Sequence, residues 1–213
     1  MFEPRRPVSQ RYRCTLSHPL TRLGGQYRIL SLVGDNQRVL DVGCATGYLG
    51  EVLRRTKGCR VTGIDVDQEA VAIAAGVLDA ALVWDVEEGD PPLHDERFDR
   101  IILGDVLEHL KRPDKALARL AGYLAPEGLI IASVPNIGYL PARLRVTLGQ
   151  FDYQDLGHFD RTHLRFFTRR SVRQLFELSG LKITKLFYTG LPALLPVWPT
   201  LLAAKFVIVA QCP

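Results

Sequence analysis

The sequence predicts an α/β fold: a doubly wound, mostly parallel sheet of seven strands whose last strand runs antiparallel. Two observations carry this. Between residues 38 and 134, short apolar runs alternate with segments of helical period, the pattern of parallel strands joined by crossover helices. Two further apolar runs near the C-terminal end have no helical pattern between them, so they pair as a hairpin and reverse the last strand.

Each element has its own signal. Arg38 to Val42 is the first strand. Tyr48 to Lys57 follows as a helix with Leu49, Val52 and Leu53 on one face. Arg60 to Ile64 is the second strand, and Asp67 caps a helix that buries Val71, Ala74, Val77 and Leu78. Ala81 to Trp84 is the third strand, ending at Asp85, and Glu87 to Pro92 is a loop. Phe98 to Leu103 is the fourth strand. Pro113 opens a helix with Ala116, Leu117, Leu120 and Leu124 inward, and Pro126 stops it. Leu129 to Val134 is the fifth strand. Residues 135–167, rich in Arg, Gly and aromatics, break the alternation. Thr168 then caps a helix bearing Val172, Leu175 and Phe176, closed by Gly180, and strands at Lys182 to Tyr188 and Lys205 to Gln211 complete the pattern. The arrangement is Rossmann-like, and ligands in such sheets sit beyond the carboxyl ends of the strands, where the strand order reverses.

With 213 residues, 47% of them hydrophobic, one well-buried core is expected. We divide the chain into a basic arm and helix at 1–34 and a main domain at 35–213, with an insertion at about 136–168. Cys14, Cys44, Cys59 and Cys212 lie far apart, with no Cys-x-x-Cys pair and no nearby His. No metal is therefore expected, and a reducing, cytoplasmic setting fits best. The N-terminal charges are followed by no apolar stretch, so no secretory signal is read there. The most apolar segment, 191–204, is too short to span a bilayer and carries Pro192, Pro196 and Pro199. Its Leu194, Leu195, Trp198, Leu201 and Leu202 suit core packing, a homodimer contact or a peripheral membrane contact. Net charge is a modest +4. Arginines cluster at Arg5, Arg6, Arg11, Arg13, Arg22 and Arg28, and again at Arg143, Arg145, Arg161, Arg165, Arg169, Arg170 and Arg173. A solvated face is the plain reading and an anionic small-molecule substrate the sharper one. No aromatic stripe accompanies them, so a nucleic-acid partner is not expected.

The strand ends carry the chemistry. The first strand ends in Asp41-Val42-Gly43-Cys44-Ala45-Thr46-Gly47, the second in Gly63-Ile64-Asp65 and the third at Asp85, so three acids face one crevice. A dinucleotide site wants the second acid for ribose hydroxyls. It has no use for Asp41, which would repel a pyrophosphate. Asp41 suits a ligand bearing an ammonium and a sulfonium, which favours S-adenosylmethionine over a nicotinamide cofactor. An oxidoreductase remains an alternative, because Ala45 to Gly50 loosely fits a dinucleotide turn.

Here the sequence resembles the class I S-adenosylmethionine-dependent methyltransferases. The resemblance rests on Val39 to Gly47, Val61 to Asp65, Phe98 to Leu110 and Leu124 to Asn136, in that order and spacing. It implies that Gly43, Cys44, Ala45, Thr46 and Gly47 line the methionine portion and that Asp41 orients it. It places the ribose at Asp65 with neighbouring Val66, the adenine edge at Asp85 and Val86, and the sulfonium beside Gly104 and Asp105. Ala45 departs from the family, which often has glycine there. Alanine accepts only negative φ cheaply, so a slightly altered turn or a slightly displaced cofactor is expected. Cys44 reads as a buried filler.

Gly157 to Thr168 is the most unusual stretch, and it resembles small methyltransferases of glycan, lipid or secondary-metabolite pathways. The segment follows the fifth strand, so it is expected to form a lid over the acceptor. Methyl transfer to a hydroxyl is an in-line displacement that needs alignment and a proton acceptor. Candidate bases are His109, His158 and His163, with Asp160 as a partner, although a structural role fits each of them too. The leading reading is O-methylation of a small molecule. N- or C-methylation, or non-catalytic S-adenosylmethionine binding, are the alternatives.

Overall fold

The computed structural model describes residues 24–89, 92, 93, 95–190 and 198–213. In chain order it contains α1 (Gly25–Leu32), β1 (Arg38–Val42), α2 (Tyr48–Lys57), β2 (Arg60–Asp65), α3 (Gln68–Ala74), β3 (Ala80–Val83), β4 (Phe98–Gly104), α4 (Pro113–Ala121), β5 (Leu124–Pro135), α5 (Leu140–Thr147), α6 (Arg169–Leu178), β6 (Lys182–Tyr188), α7 (Pro199–Leu202) and β7 (Lys205–Gln211). A short 3-10 turn, Leu107–His109, follows β4. The N-terminal arginines up to Arg22, Cys14 and residues 191–197 lie outside the described residues. Among the described residues no helix is long and apolar enough to cross a membrane.

The seven strands form one sheet in the order β3-β2-β1-β4-β5-β7-β6. β1 pairs in parallel with both β2 and β4, so the order reverses between β1 and β4. β7 inserts antiparallel between β5 and β6. Alternation along each strand sends neighbours to opposite faces, because side chains in a strand have a period of two. On one face Leu40, Ile101 and Leu103 pack with Leu117, Leu120, Val172 and Phe176 of α4 and α6. On the other, Val39, Val61, Ile102 and Val207 pack with Ile29 of α1 and Leu49 and Leu53 of α2. The α1 helix thus belongs to the same core as the strands.

Local chemistry explains the element ends. α2 starts at Gly47 and stops at Gly58, both left-handed, and its last turn carries Arg54, Arg55 and Lys57, which complement the helix dipole. The Asp67 side chain accepts the amides of Glu69 and Ala70 and so caps α3. Thr168 and Ser171 form a reciprocal capping box at α6. Three expectations need correction. α4 ends at Ala121, before Leu124, because the amides of Gly122 and Tyr123 close the turn on Arg119 and Leu120. Leu124 and Pro126 belong instead to a longer β5, in which Leu124 pairs with Phe98. Residues 135–167 contain the helix α5, and one helical turn, α7, separates β6 from β7.

The β2 backbone is packed tightly against the turn after β1 and the chain that follows α3. A Cβ at Gly63 would stand 2.6 Å from Leu78 Cδ1 and 2.7 Å from Cys44 Sγ. Alanine is ordinarily the better strand residue, yet here it overpacks a filled core. Gly63→Ala should therefore destabilise the fold by about 1–3 kcal/mol, read as a lower midpoint of urea unfolding. A neutral or stabilising effect would show that the contact relaxes freely.

Candidate active site

The turn after β1 is held by its neighbours. The amides of Gly43 and Cys44 donate to the Ile64 carbonyl at 2.8 and 3.1 Å, and Ala45 N donates to Asp65 Oδ2 at 2.8 Å. Gly43 sits at φ +70°, and a Cβ there would lie 2.6 Å from Val106 Cγ2, so only glycine fits. Ala45 sits at φ +47°. The expected altered turn is thus replaced by a different solution. The left-handed turn is retained, at a strain of about 1–2 kcal/mol, and the Asp65 hydrogen bond helps to hold it.

Beyond the strand ends lies a cleft of about 400 Å³. Gly43, Ala45, Asp65, Val66, Asp85, Val86, Gly104, Asp105 and His109 line it, together with Gln26, Trp84, Val106 and Thr162. A smaller recess of about 80 Å³ adjoins it, lined by Asp41, Cys44, Thr46, Tyr48 and Ser133 and sharing Gly43, Ala45, Gly104 and Asp105. A larger but open concavity on α6, lined by Arg169, Arg170, Arg173, Gln174 and Glu177, shares no residue with either. It is a basic surface hollow remote from the strand-end acids.

Electrostatics single out Asp41. It is 4% exposed, and its carboxylate meets no hydrogen-bond donor among the described residues. Burial, and then the neighbouring Asp65 charge, raise its pKa from 3.8 to about 7. Burial and the same two carboxylates push the Cys44 thiol up, which suits an inert filler and not a nucleophile. Asp65 is better satisfied, accepting from Ala45 N and, at 3.0 Å, from Asp67 N. Asp85 accepts from Glu87 N at 2.8 Å. Asp105 is a strained residue at φ +58°. Its carboxylate accepts from Ser133 Oγ at 2.8 Å and pairs with the Lys205 ammonium. Burial opposes the Lys205 charge, but Asp105 more than offsets this, and the ammonium pKa rises.

The segment from Asn136 to Thr168 closes at its neck, where Ile137 N donates to the Phe167 carbonyl at 2.9 Å. Its far end is tied to the turn after β4, because Leu164 N and Arg165 N both donate to the Glu108 carbonyl, at 2.8 and 3.0 Å. Of the candidate bases, His109 lines the cleft and His163 stands beside it, with ring centroids 4.9 Å apart. His158 and Asp160 are not brought to the cleft. His158 Nε2 lies 2.9 Å from the Ala204 carbonyl oxygen and its ring stacks on Tyr139. Asp160 accepts from the Thr162 amide and hydroxyl, which orients that turn. Arg161 pairs with Asp155 and Arg165 donates to the Lys111 carbonyl, so these two arginines of the second basic cluster have internal partners.

Sequence reading missed Glu108, Thr162, Ser133, Lys205 and Gln26. Lys205 and Asp105 are a hundred residues apart and meet only because β7 inserts beside β5. Glu108 had a signal, adjacent to His109 after a strand end, but its burial was invisible.

A sheet of this order, with acids at or just past three strand ends bordering a cleft and its recess at the switch point, is the framework of a nucleotide-type cofactor-binding α/β domain. A family model described as Methyltransferase domain matches residues 9–186. A ubiquinone biosynthesis O-methyltransferase of Bradyrhizobium diazoefficiens is 40% identical over 105 residues, covering 46% of this chain and 40% of the relative. Its counterpart in Nitrobacter winogradskyi is 32% identical over 156 residues, covering 70% of this chain and 58% of the relative. The matched regions thus span about half the length of these curated relatives. In fold, a SAM dependent methyltransferase from Aquifex aeolicus superposes with a TM-score of 0.65 at 20% identity, covering 97% of this chain and 98% of that one. The chain belongs to the class I S-adenosylmethionine-dependent methyltransferases.

The Asp41 carboxyl gives a pH signature. Its folded pKa lies above its unfolded value, so the folded state holds the proton more tightly. Stability is then lost as pH rises from about 4 to about 7, and the full cost applies above that. Asp41→Asn should remove the effect. The variant should match the parent near pH 4 and exceed it in stability at pH 8, by an amount on the order of a few kcal/mol. Urea midpoints measured across that range check this, and parallel pH profiles would show that Asp41 is not the group responsible.

Proposed function

We propose that this chain transfers a methyl group from S-adenosylmethionine to a hydroxyl oxygen of a small-molecule acceptor. The observation that carries this is Asp41, a buried carboxylate with no hydrogen-bond partner among the described residues, in a recess that adjoins the main cleft. Such a group calls for a cation, and the ammonium of the cofactor's methionine portion supplies one. The other residues fit as well. Gly43 leaves the turn open where Val106 crowds it, Asp65 offers its charge to ribose hydroxyls, and Trp84, Val86 and Val66 give apolar walls for a purine beside Asp85.

When bound, the cofactor supplies a methyl group made electrophilic by a sulfonium. The chain's residues do the rest. The strained Asp105, braced by Ser133 and Lys205, sets the wall between recess and cleft. The segment 136–168 forms the acceptor side, reaching the cleft through Thr162 and anchored on Glu108. Alignment in such a site is worth about 7–11 kcal/mol, against roughly 10²–10⁴-fold from a base, so positioning dominates. Hydroxyl as the acceptor atom is supported by the relatives named O-methyltransferases. A hydrophobic acceptor, such as a lipid-linked one, is favoured over a charged one, because Arg161 and Arg165 are internally paired while Leu164 and Phe166 on the same segment are exposed.

Calorimetry tests the reading. S-adenosylhomocysteine should bind with micromolar affinity, about −8 kcal/mol, and NAD should not bind comparably. Asp65→Asn should weaken that binding by about 1.5–3 kcal/mol, the worth of a hydrogen bond to a charged group. Preference for NAD, or an unchanged affinity in the variant, would sink the assignment.

A further inference from the structure

Behind the cleft wall, Glu108, His109 and His163 converge, with one ligand atom from each lying within 4.8 Å of the others. Glu108 is 1% exposed, and neither of its carboxyl oxygens has a hydrogen-bond partner among the described residues. Nothing in the proposed cofactor site uses it. A buried carboxyl left unsatisfied is costly, and such a group calls for a partner.

The two imidazoles are already set as ligands. His109 Nδ1 lies 3.2 Å from the Thr162 carbonyl oxygen, and His163 Nδ1 lies 3.4 Å from the His158 carbonyl oxygen. Carbonyls only accept, so each Nδ1 carries the proton and each Nε2 keeps its lone pair. Thr162 Oγ1 stands 3.1 Å from the same His109 nitrogen and donates its own proton to Asp160, which reinforces the assignment. Metal-binding histidines are oriented in this way, with the second ring nitrogen donating to a carbonyl or carboxylate.

We infer that Glu108, His109 and His163 bind one divalent first-row transition ion at the acceptor end of the cleft. Two imidazoles with one carboxylate suit zinc, cobalt or iron, whereas magnesium and calcium prefer all-oxygen shells. Bonds of about 2.0–2.2 Å at tetrahedral angles place ligand atoms roughly 3.3–3.6 Å apart, so the widest pair of the cluster closes by up to about 1.5 Å, a movement within reach of side-chain rotation. Three protein ligands leave open positions. His109 lines the cleft, so it is the ligand that joins the cluster to the cleft. Sequence spacing gave no sign of the site, because His163 arrives from the far end of the insertion.

The role of the ion rests on the methyltransferase reading above. It receives the acceptor's hydroxyl oxygen and lowers the pKa of that hydroxyl. The O–H bond breaks, the electron pair stays on oxygen, and the proton passes to water in the open cleft. The acceptor class is therefore a hydroxyl compound able to coordinate through the oxygen that is methylated.

The test uses the full chain, stripped with chelator and titrated with Co²⁺, with visible absorption and calorimetry as readouts and S-adenosylhomocysteine binding measured on the same sample. One equivalent of Co²⁺ should bind, give ligand-field bands that Zn²⁺ abolishes, and raise the thermal midpoint. Glu108→Gln and His163→Asn should each weaken Co²⁺ binding by more than about 100-fold, beyond the loss typical of an outer-shell partner. Their S-adenosylhomocysteine affinity should stay within about twofold, well under the 1.4 kcal/mol of a tenfold change. Protein that binds S-adenosylhomocysteine but takes up no stoichiometric Co²⁺ overturns the metal site and leaves the cofactor reading intact. Undiminished Co²⁺ binding in both variants overturns it as well. Co²⁺ binding of the expected pattern without S-adenosylhomocysteine binding upholds the site and removes the cofactor reading instead.

Discussion

Two carboxylates held close together at the ends of adjacent strands are the constraint on which the rest of this molecule turns. Asp41 lies one residue before the end of β1 and Asp65 ends β2, and the parallel register sets Asp41 beside Gly63, two residues before Asp65, close enough for each charge to act on the other. Asp65 is relieved by two backbone amides, whereas Asp41 has no donor among the described residues and is driven toward its neutral form. Folding tolerates this because the sheet around them is filled on both faces by apolar side chains. A cation entering the recess would recover that cost, and on the proposed function the cofactor's ammonium is that cation.

Strain gathers at the same place. Among non-glycine residues in the left-handed region, Ala45 and Asp105 both border the cleft, on the two sides of the β1–β4 switch point. Each is held by groups from a neighbouring strand: Ala45 by Asp65, and Asp105 by Ser133 and Lys205. Strained backbone persists where its surroundings over-determine it, and here they do so at the position that would face the reacting centre.

The insertion between β5 and α6 has its own small core, with Phe159 buried against Phe151 and under the Arg145 guanidinium. Asn136 fastens its base by donating to the carbonyls of Thr200 and Ala203. Just before the neck, Leu164 and Arg165 fasten it to the turn after β4, which sets His163 beside His109.

Periodicity and strand-end chemistry were enough to specify the sheet, its reversed last strand and the row of acids, because these are local: an apolar run, a capping Asp67, an Asp beside a glycine turn. The helix α5 was not legible, since its apolar side chains are largely exposed and leave no buried stripe to detect. Neither was the end of α4, where Gly122 closes the turn four residues before the Pro126 that looked like the stop. The roles of single residues depended on contacts between distant parts of the chain. His158 and Asp160 looked equivalent to His163 in sequence, yet a carbonyl of residue 204 and a turn at Thr162 absorb them. Ala45 keeps a glycine-like conformation only because Asp65, twenty residues on, holds its amide. By itself the sequence determined which groups arrive at the edge of the sheet. Tertiary packing decided which of them meet, and it left Asp41 and Glu108 buried without hydrogen-bond partners among the described residues, because burial and pairing are properties of the assembled chain.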